Sequence, residues 1–294
     1  MSCNNNCFMV GKEKYRDINS LLNKKINEKK VLIAVHRGSP GGNIIENTIP
    51  AYHNSLRLGG DMFEMDVIKS TDGILYTFHD GTERRNLKEE DNIKTMSSEK
   101  IDSLFYYNSI GAPSEFKVER FEDVVKEFNK GELYNIDRAW DIFPEVFEAL
   151  NKYDYAIGQA LFKSPVKKEI LEFLEKNEKK YMYMPIVYSL EEIEEVLSYE
   201  NINLVGLEII AKDTECDLFN DDVLDRLKSK GLFLWVNAIT LDKEIVLYGK
   251  LDDNISVIEG PENGWGKLFE KKIDIIQTDW PSLLKEYRDK YFNK

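Results

Sequence analysis

Short apolar runs recur along the chain, at 31–35, 62–67, 74–78, 133–136, 155–159, 181–187, 204–210, 232–236 and 273–277. Between several of them, at 166–176, 190–198 and 221–230, apolar residues return every three or four positions, the spacing of a helix with one buried face. Strand-like runs alternating with helices predict a parallel sheet covered by helices. The third run breaks the rule. Only Lys69-Ser70-Thr71-Asp72-Gly73 separates it from the second, too short for a helical crossover and carrying the Asp-Gly signal of a tight hairpin. It is expected to pair antiparallel with the second run, which leaves eight parallel strands and predicts an α/β protein of the (β/α)8 barrel type with an extra hairpin strand. A two-residue turn at Asp72-Gly73 would set His79 opposite Asp66. Ahead of the first strand, Ile18, Leu21, Leu22 and Ile26 mark a charged helix that should pack over one end of the core.

Length and composition agree with this picture. A chain of 294 residues with 42% hydrophobic content suits one barrel of ordinary size. Residues 1–30 read as a helical lead-in and 31–294 as a single domain. The net charge of -13 argues against nucleic acid and against anionic lipid as partners. Cys3, Cys7 and Cys216 lack the partners of a zinc site or a disulfide framework and read as free thiols in a reducing compartment. Residues 1–15 are polar, without the apolar segment of a signal peptide, and no run approaches the ~18 residues of a membrane span. A cytoplasmic protein is expected.

The chemistry is concentrated in His36-Arg37-Gly38, Glu64-Met65-Asp66 and His79-Asp80, which use two of the three histidines. Glu64 and Asp66, two apart on a strand, share a face. His36 and Asp137 each follow an apolar run directly, and in a (β/α)8 barrel the ends of the strands gather at one mouth. Taken singly, each motif has a plainer reading as a boundary histidine or a solvated acidic face.

Their order is more specific. His36-Arg37-Gly38, Glu46-Asn47-Thr48, residues 59–67, Thr71-Asp72-Gly73 and His79-Asp80 resemble, in sequence and spacing, the glycerophosphodiester phosphodiesterase family. Weaker likeness continues through Asn135-Ile136-Asp137, Trp235-Val236-Asn237 and Thr278-Asp279-Trp280-Pro281, so that it covers residues 31 to 283. The resemblance implies a (β/α)8 barrel that hydrolyses glycerophosphodiesters to glycerol 3-phosphate and an alcohol with a divalent cation. It implies His36 and His79 as the acid/base pair, Glu64, Asp66 and Asp137 as metal ligands and Arg37 as a phosphate contact, with Glu46 and Asn47 around them. Glu208 and Trp235 complete the expected substrate-facing set, since an acid in a barrel strand needs a partner, a metal or substrate hydroxyls. Oxygen ligands suit Mg2+ or Ca2+.

The chain departs from the family pattern in three places. Asp137-Arg138-Ala139 stands where a Glu and, two residues on, a Lys are usual; the loop 39–45 is longer; and Trp235 sits one place nearer its Asn. Arg138 should point away from Asp137 if the strand continues. Lys163 offers a replacement cation or reads as an ordinary loop charge, His53 as a surface residue, and Trp140 and Trp265 as packing groups or pocket walls. Two alternatives remain: a phospholipase D-like or cyclising lyase acting on lysophospholipids, and a catalytically weak barrel that binds metal and phosphodiester.

Overall fold

The computed structural model describes residues 8–242 and 244–293. Twelve strands form: β1 (Leu32–Val35), β2 (Met62–Lys69), β3 (Leu75–Thr77), β4 (Phe105–Tyr107), β5 (Pro113–Lys117), β6 (Glu119–Arg120), β7 (Leu133–Asp137), β8 (Ala160–Pro165), β9 (Met182–Val187), β10 (Gly206–Ile209), β11 (Phe233–Asn237) and β12 (Ile275–Thr278). Strands β1, β2 and β7 to β12 pair in parallel in that order, and the β1–β12 ladder closes them into the expected eight-stranded barrel.

The hairpin strand β3 lies antiparallel to β2 as expected, but the register differs by one residue. Val67 faces Thr77, so Asp66 faces Phe78, whose N–H donates to the Asp66 carbonyl at 3.0 Å. The cause is the turn. Ser70 and Ile74 close a loop of three residues, Thr71-Asp72-Gly73, with the Ile74 N–H also donating to Ser70 Oγ at 2.9 Å and Gly73 at φ 91°. A two-residue turn at Asp72-Gly73 is therefore absent.

A second difference is larger in consequence. The run 155–159 forms no strand: Asp154–Gly158 is a 3-10 turn, in which the Tyr155 ring packs against that of Tyr153, just ahead of the turn, and the Tyr155 hydroxyl donates to the Val125 carbonyl. The barrel strand begins at Ala160 and carries Lys163 within it. The sequence pattern also missed the excursion after β3, where β4 and β5 form a separate hairpin and β6 adds to β3. Tyr76, Phe78, Leu87, Ile93, Ile101 and Tyr106 give this excursion its own apolar cluster.

Side chains alternate about the barrel wall. Ile33, Val35, Phe63 and Met65 pack outward under the helices, while Leu32, Ala34, Met62, Leu133, Leu161, Met182, Phe233 and Ile275 fill the interior. The helix Ser20–Lys29 closes the bottom, placing Leu22 and Ile26 against this interior cluster together with Val10. A Cβ at Gly206 would lie 2.3 Å from the Phe233 ring, so only glycine leaves that ring its place. No described helix is long and apolar enough to cross a membrane. Cys216 is a free thiol, while Cys3 and Cys7 lie outside the described residues.

Candidate active site

Toward the C-terminal ends of the strands the inward positions change from apolar to charged. On β2 the sequence Met62, Glu64, Asp66 climbs the wall, and the ladder sets Glu64 beside Asn135 and Asp66 beside Asp137 of β7. One carboxylate oxygen from each of Glu64, Asp66 and Asp137 lies within 4.8 Å of the others. Glu64 is fully buried; its Oε2 accepts from the Arg37 N–H at 2.8 Å, while Oε1 is buried without a partner among the described residues. Burial, with Asp66 and Asp137 adding to it, pushes the Glu64 carboxyl well above the usual carboxylate range. An unpartnered oxygen among three acids fits a hard divalent cation.

The His-Arg-Gly motif has a backbone reason as well as a chemical one. Arg37 and Gly38 turn the chain through the left-handed region, at φ 53° and 80°, and a Cβ on Gly38 would meet Ala51 Cβ at 2.7 Å. The turn aims the Arg37 side chain inward: Nε lies 3.2 Å from Asp66 Oδ2 and Nη1 3.4 Å from Glu46 Oε1. Glu46 also accepts from Arg85 at 2.6 Å and Asn86 at 3.2 Å. Asn47, left-handed at φ 57°, donates to Asp66 Oδ2 at 2.8 Å and accepts from the Asp66 N–H and the Tyr52 hydroxyl. It therefore fixes the Asp66 carboxylate. Thr48 then caps the helix Ile49–Arg57, accepting from the Ala51 N–H.

His36 is held through its Nδ1, 3.0 Å from Asp279 Oδ1. Asp279 is fixed in turn, because its N–H donates to the buried Asp253, which also accepts from Trp265 Nε1 and Thr278 Oγ1, each at 2.8 Å. Burial raises the Asp253 carboxyl to about 7 despite these donors. Sequence reasoning quoted Asp279 within a motif but gave it no role. Trp265, with its indole tied to Asp253, is a buried packing group of the apolar cluster under the helices.

His79 leaves the β3 ladder yet remains within the field of Asp66. Burial, then the Arg37 and Arg138 guanidiniums, lower its pKa against the opposing pull of Asp66 and Asp80. Its Nδ1 is buried and has no partner among the described residues. Arg138 corrects an expectation: β7 ends at Asp137, the backbone turns to φ 55°, and the guanidinium reaches Asp80 Oδ1 at 2.8 to 2.9 Å. The expected outward direction assumed a continuing strand.

The fourth part of the site is the one the sequence pattern misplaced. Lys163 is 3% exposed inside β8, with Nζ 2.8 Å from Asp137 Oδ2 and 3.1 Å from Glu208 Oε2. Burial alone would lower its pKa, but the two carboxylates outweigh that and raise it. For the same reason Asp137, whose charge burial disfavours, is held ionised by Lys163. Asn237 donates to Glu208 at 2.8 Å and accepts from Trp235 Nε1 at 2.8 Å, while the Lys163 ammonium lies 5.8 Å from the Trp235 ring centre. Glu208 and Trp235 thus belong to one network reaching Asp137. His53 is remote, paired at the surface with Glu127, and Trp140 is half-buried in a 3-10 turn.

Residues 183–288 match a family described only as a domain of unknown function. A glycerophosphodiester phosphodiesterase of Caldanaerobacter subterraneus is 39% identical over 75 residues, which span 26% of this chain and 30% of that protein. Among solved structures, a glycerophosphoryl diester phosphodiesterase of Parabacteroides distasonis superposes with a TM-score of 0.74 at 17% identity, covering 97% of this chain and 94% of its own. An Oleispira antarctica phosphodiesterase in complex with the product sn-glycerol-3-phosphate gives 0.63 at 18% identity, covering 88% of this chain and 96% of that one. These structures share the fold. Along its length the chain thus shares the barrel fold of these phosphodiesterases, and over 75 residues it is similar in sequence to a glycerophosphodiester phosphodiesterase, of whose length it spans less than a third.

Proposed function

We propose that the protein hydrolyses glycerophosphodiesters to glycerol 3-phosphate and an alcohol, within one domain spanning 31–294 that follows the helical lead-in. The observation that carries this reading is the meeting of Arg37 with the three acids: a guanidinium 3.2 Å from Asp66, beside a Glu64 oxygen that has no partner among the described residues. That arrangement suits an anionic phosphate group, bound by the guanidinium beside acids that would hold a cation. Glu64, Asp66 and Asp137 would hold Mg2+ or Ca2+, which would supply charge to offset that growing on the phosphate oxygens. Arg37 binds the same oxygens. His79, whose neutral form burial favours, is suited to take the proton of the attacking oxygen. His36, its ring set by Asp279, delivers a proton to the leaving alkoxide. Release of glycerol 3-phosphate from a panel of glycerophosphodiesters, with chelator and with each cation restored, tests the reading.

Two substitutions probe its parts. Arg37→Lys keeps the charge but loses the planar fork that faces Asp66 and Glu46, so kcat/KM is expected to fall at least about tenfold with the cation saturating. An unchanged value removes direct phosphate contact. Asp137→Ala is expected to weaken cation binding and the thermal stabilisation the cation brings, whereas Asp137→Glu retains part of both, because Ca2+ accepts varied carboxylate geometry. Calorimetric titration decides. Equal affinity in wild type and Asp137→Ala shows that Asp137, already engaged by Lys163 and by the Arg138 N–H, is no ligand.

A further inference from the structure

Beyond Glu46 a cavity of ≈ 430 Å³ opens between the loop that follows Gly38 and the β4–β5 hairpin. Asn108 Nδ2 donates to Asn43 Oδ1 at 2.8 Å and ties the two walls together. The cavity shares Glu46 with the site, and that carboxylate is taken up by Arg37, Arg85 and Asn86. Arg85 and Lys88 also line it. Two cations therefore face one neutralised acid, in a protein whose net charge is -13.

Lys88 is placed there at a cost. Its backbone is left-handed, at φ 58°, a conformation that disfavours a side chain by roughly 1 kcal/mol or more. Its ammonium lies 5.5 Å from the Tyr107 ring centre, and no ion pair among the described residues includes it. The Tyr107 face is thus already occupied by a cation. A quaternary ammonium, which needs a free aromatic face or an unpaired acid, has neither.

We propose that this cavity receives the alcohol side of the diester and selects an anionic, hydroxyl-rich alcohol, such as a phosphorylated polyol, over a cationic one. Lys88 contacts the added charge, and the Asn86 side-chain carbonyl and the second Asn108 Nδ2 hydrogen, which make no other bond among the described residues, are left for the hydroxyls. The inference rests on the phosphodiesterase reading for its substrate.

The test uses the whole protein with phosphorylated glycerophosphoinositol, glycerophosphoinositol and glycerophosphocholine. The expected result is a kcat/KM at least about tenfold higher for the phosphorylated inositol ester than for the choline ester, the difference lying in KM. Lys88→Glu should abolish that preference, chiefly by raising KM for the phosphorylated inositol ester. Lys88→Gly removes the charge and relieves the left-handed backbone, so it should keep or raise the melting temperature and still lose the preference. Equal kcat/KM on all three esters, or a preference that survives both variants, overturns the proposal and leaves the phosphodiesterase reading intact. If no ester is cleaved, that reading fails on its own. Calorimetric titration of phosphorylated glycerophosphoinositol into wild type and Lys88→Glu then decides the cavity: tighter binding to wild type supports it, and equal Kd values overturn it.

Discussion

Replacing His36 or His79 by alanine is expected to lower kcat at least about 10²-fold, while the melting temperature changes little. Loss of a group that moves a proton in the transition state typically costs 10²–10⁴ in rate. His36 sits at the barrel mouth, held by one hydrogen bond to an Asp279 that is itself half-exposed, and its removal leaves no core cavity. His79 adds a pH signature. Burial and two guanidiniums favour its neutral form, so the acid limb of kcat/KM governed by His79 should fall below the ordinary imidazole value. That limb should disappear in His79→Ala and persist in His36→Ala. Near-normal kcat in either variant would remove that histidine from the proton transfers.

The second large effect is expected at Lys163. Lys163→Met leaves the buried Glu208 and the partly buried Asp137 without their counter-ion, and breaking a buried ion pair from one side costs about 3–5 kcal/mol. Denaturant unfolding should show that loss at neutral pH, with activity reduced as Asp137 is no longer held ionised beside Glu64 and Asp66. Adding Glu208→Gln should recover part of the stability, since one orphaned charge is then gone. A loss under about 1 kcal/mol in Lys163→Met would mean that water or protonation satisfies the acids instead.

The parts of this molecule legible in its sequence are those set by local periodicity. Alternation on β2 places Glu64 and Asp66 on one face, the short link before β3 forces an antiparallel pair, and the apolar run before His36 ends where the mouth begins. What escaped depended on choices that periodicity leaves open. Tyr155, Ala156 and Ile157 satisfy the composition of a strand, but Tyr155 serves the barrel exterior, and only the run Ala160-Leu161-Phe162 ahead of Pro165 hints that Lys163 is in the wall. One added residue in the turn after Ser70 moved the hairpin register. Asp279 stands 243 residues from His36, and only closure of the ring between β1 and β12 makes them neighbours. Arg138 turned back because Asp137 ends its strand, a termination that the pattern of apolar residues does not encode.

The apolar plug has an electrical consequence. Leu22 and Ile26 stop the lower bore with hydrocarbon, so Lys163, Glu208 and Glu64 rest on a floor that neither polarises nor admits ions. Their fields spread upward, where the mouth meets solvent, and are scarcely screened from beneath. An anionic group entering the mouth would therefore meet charges that salt screens from above only.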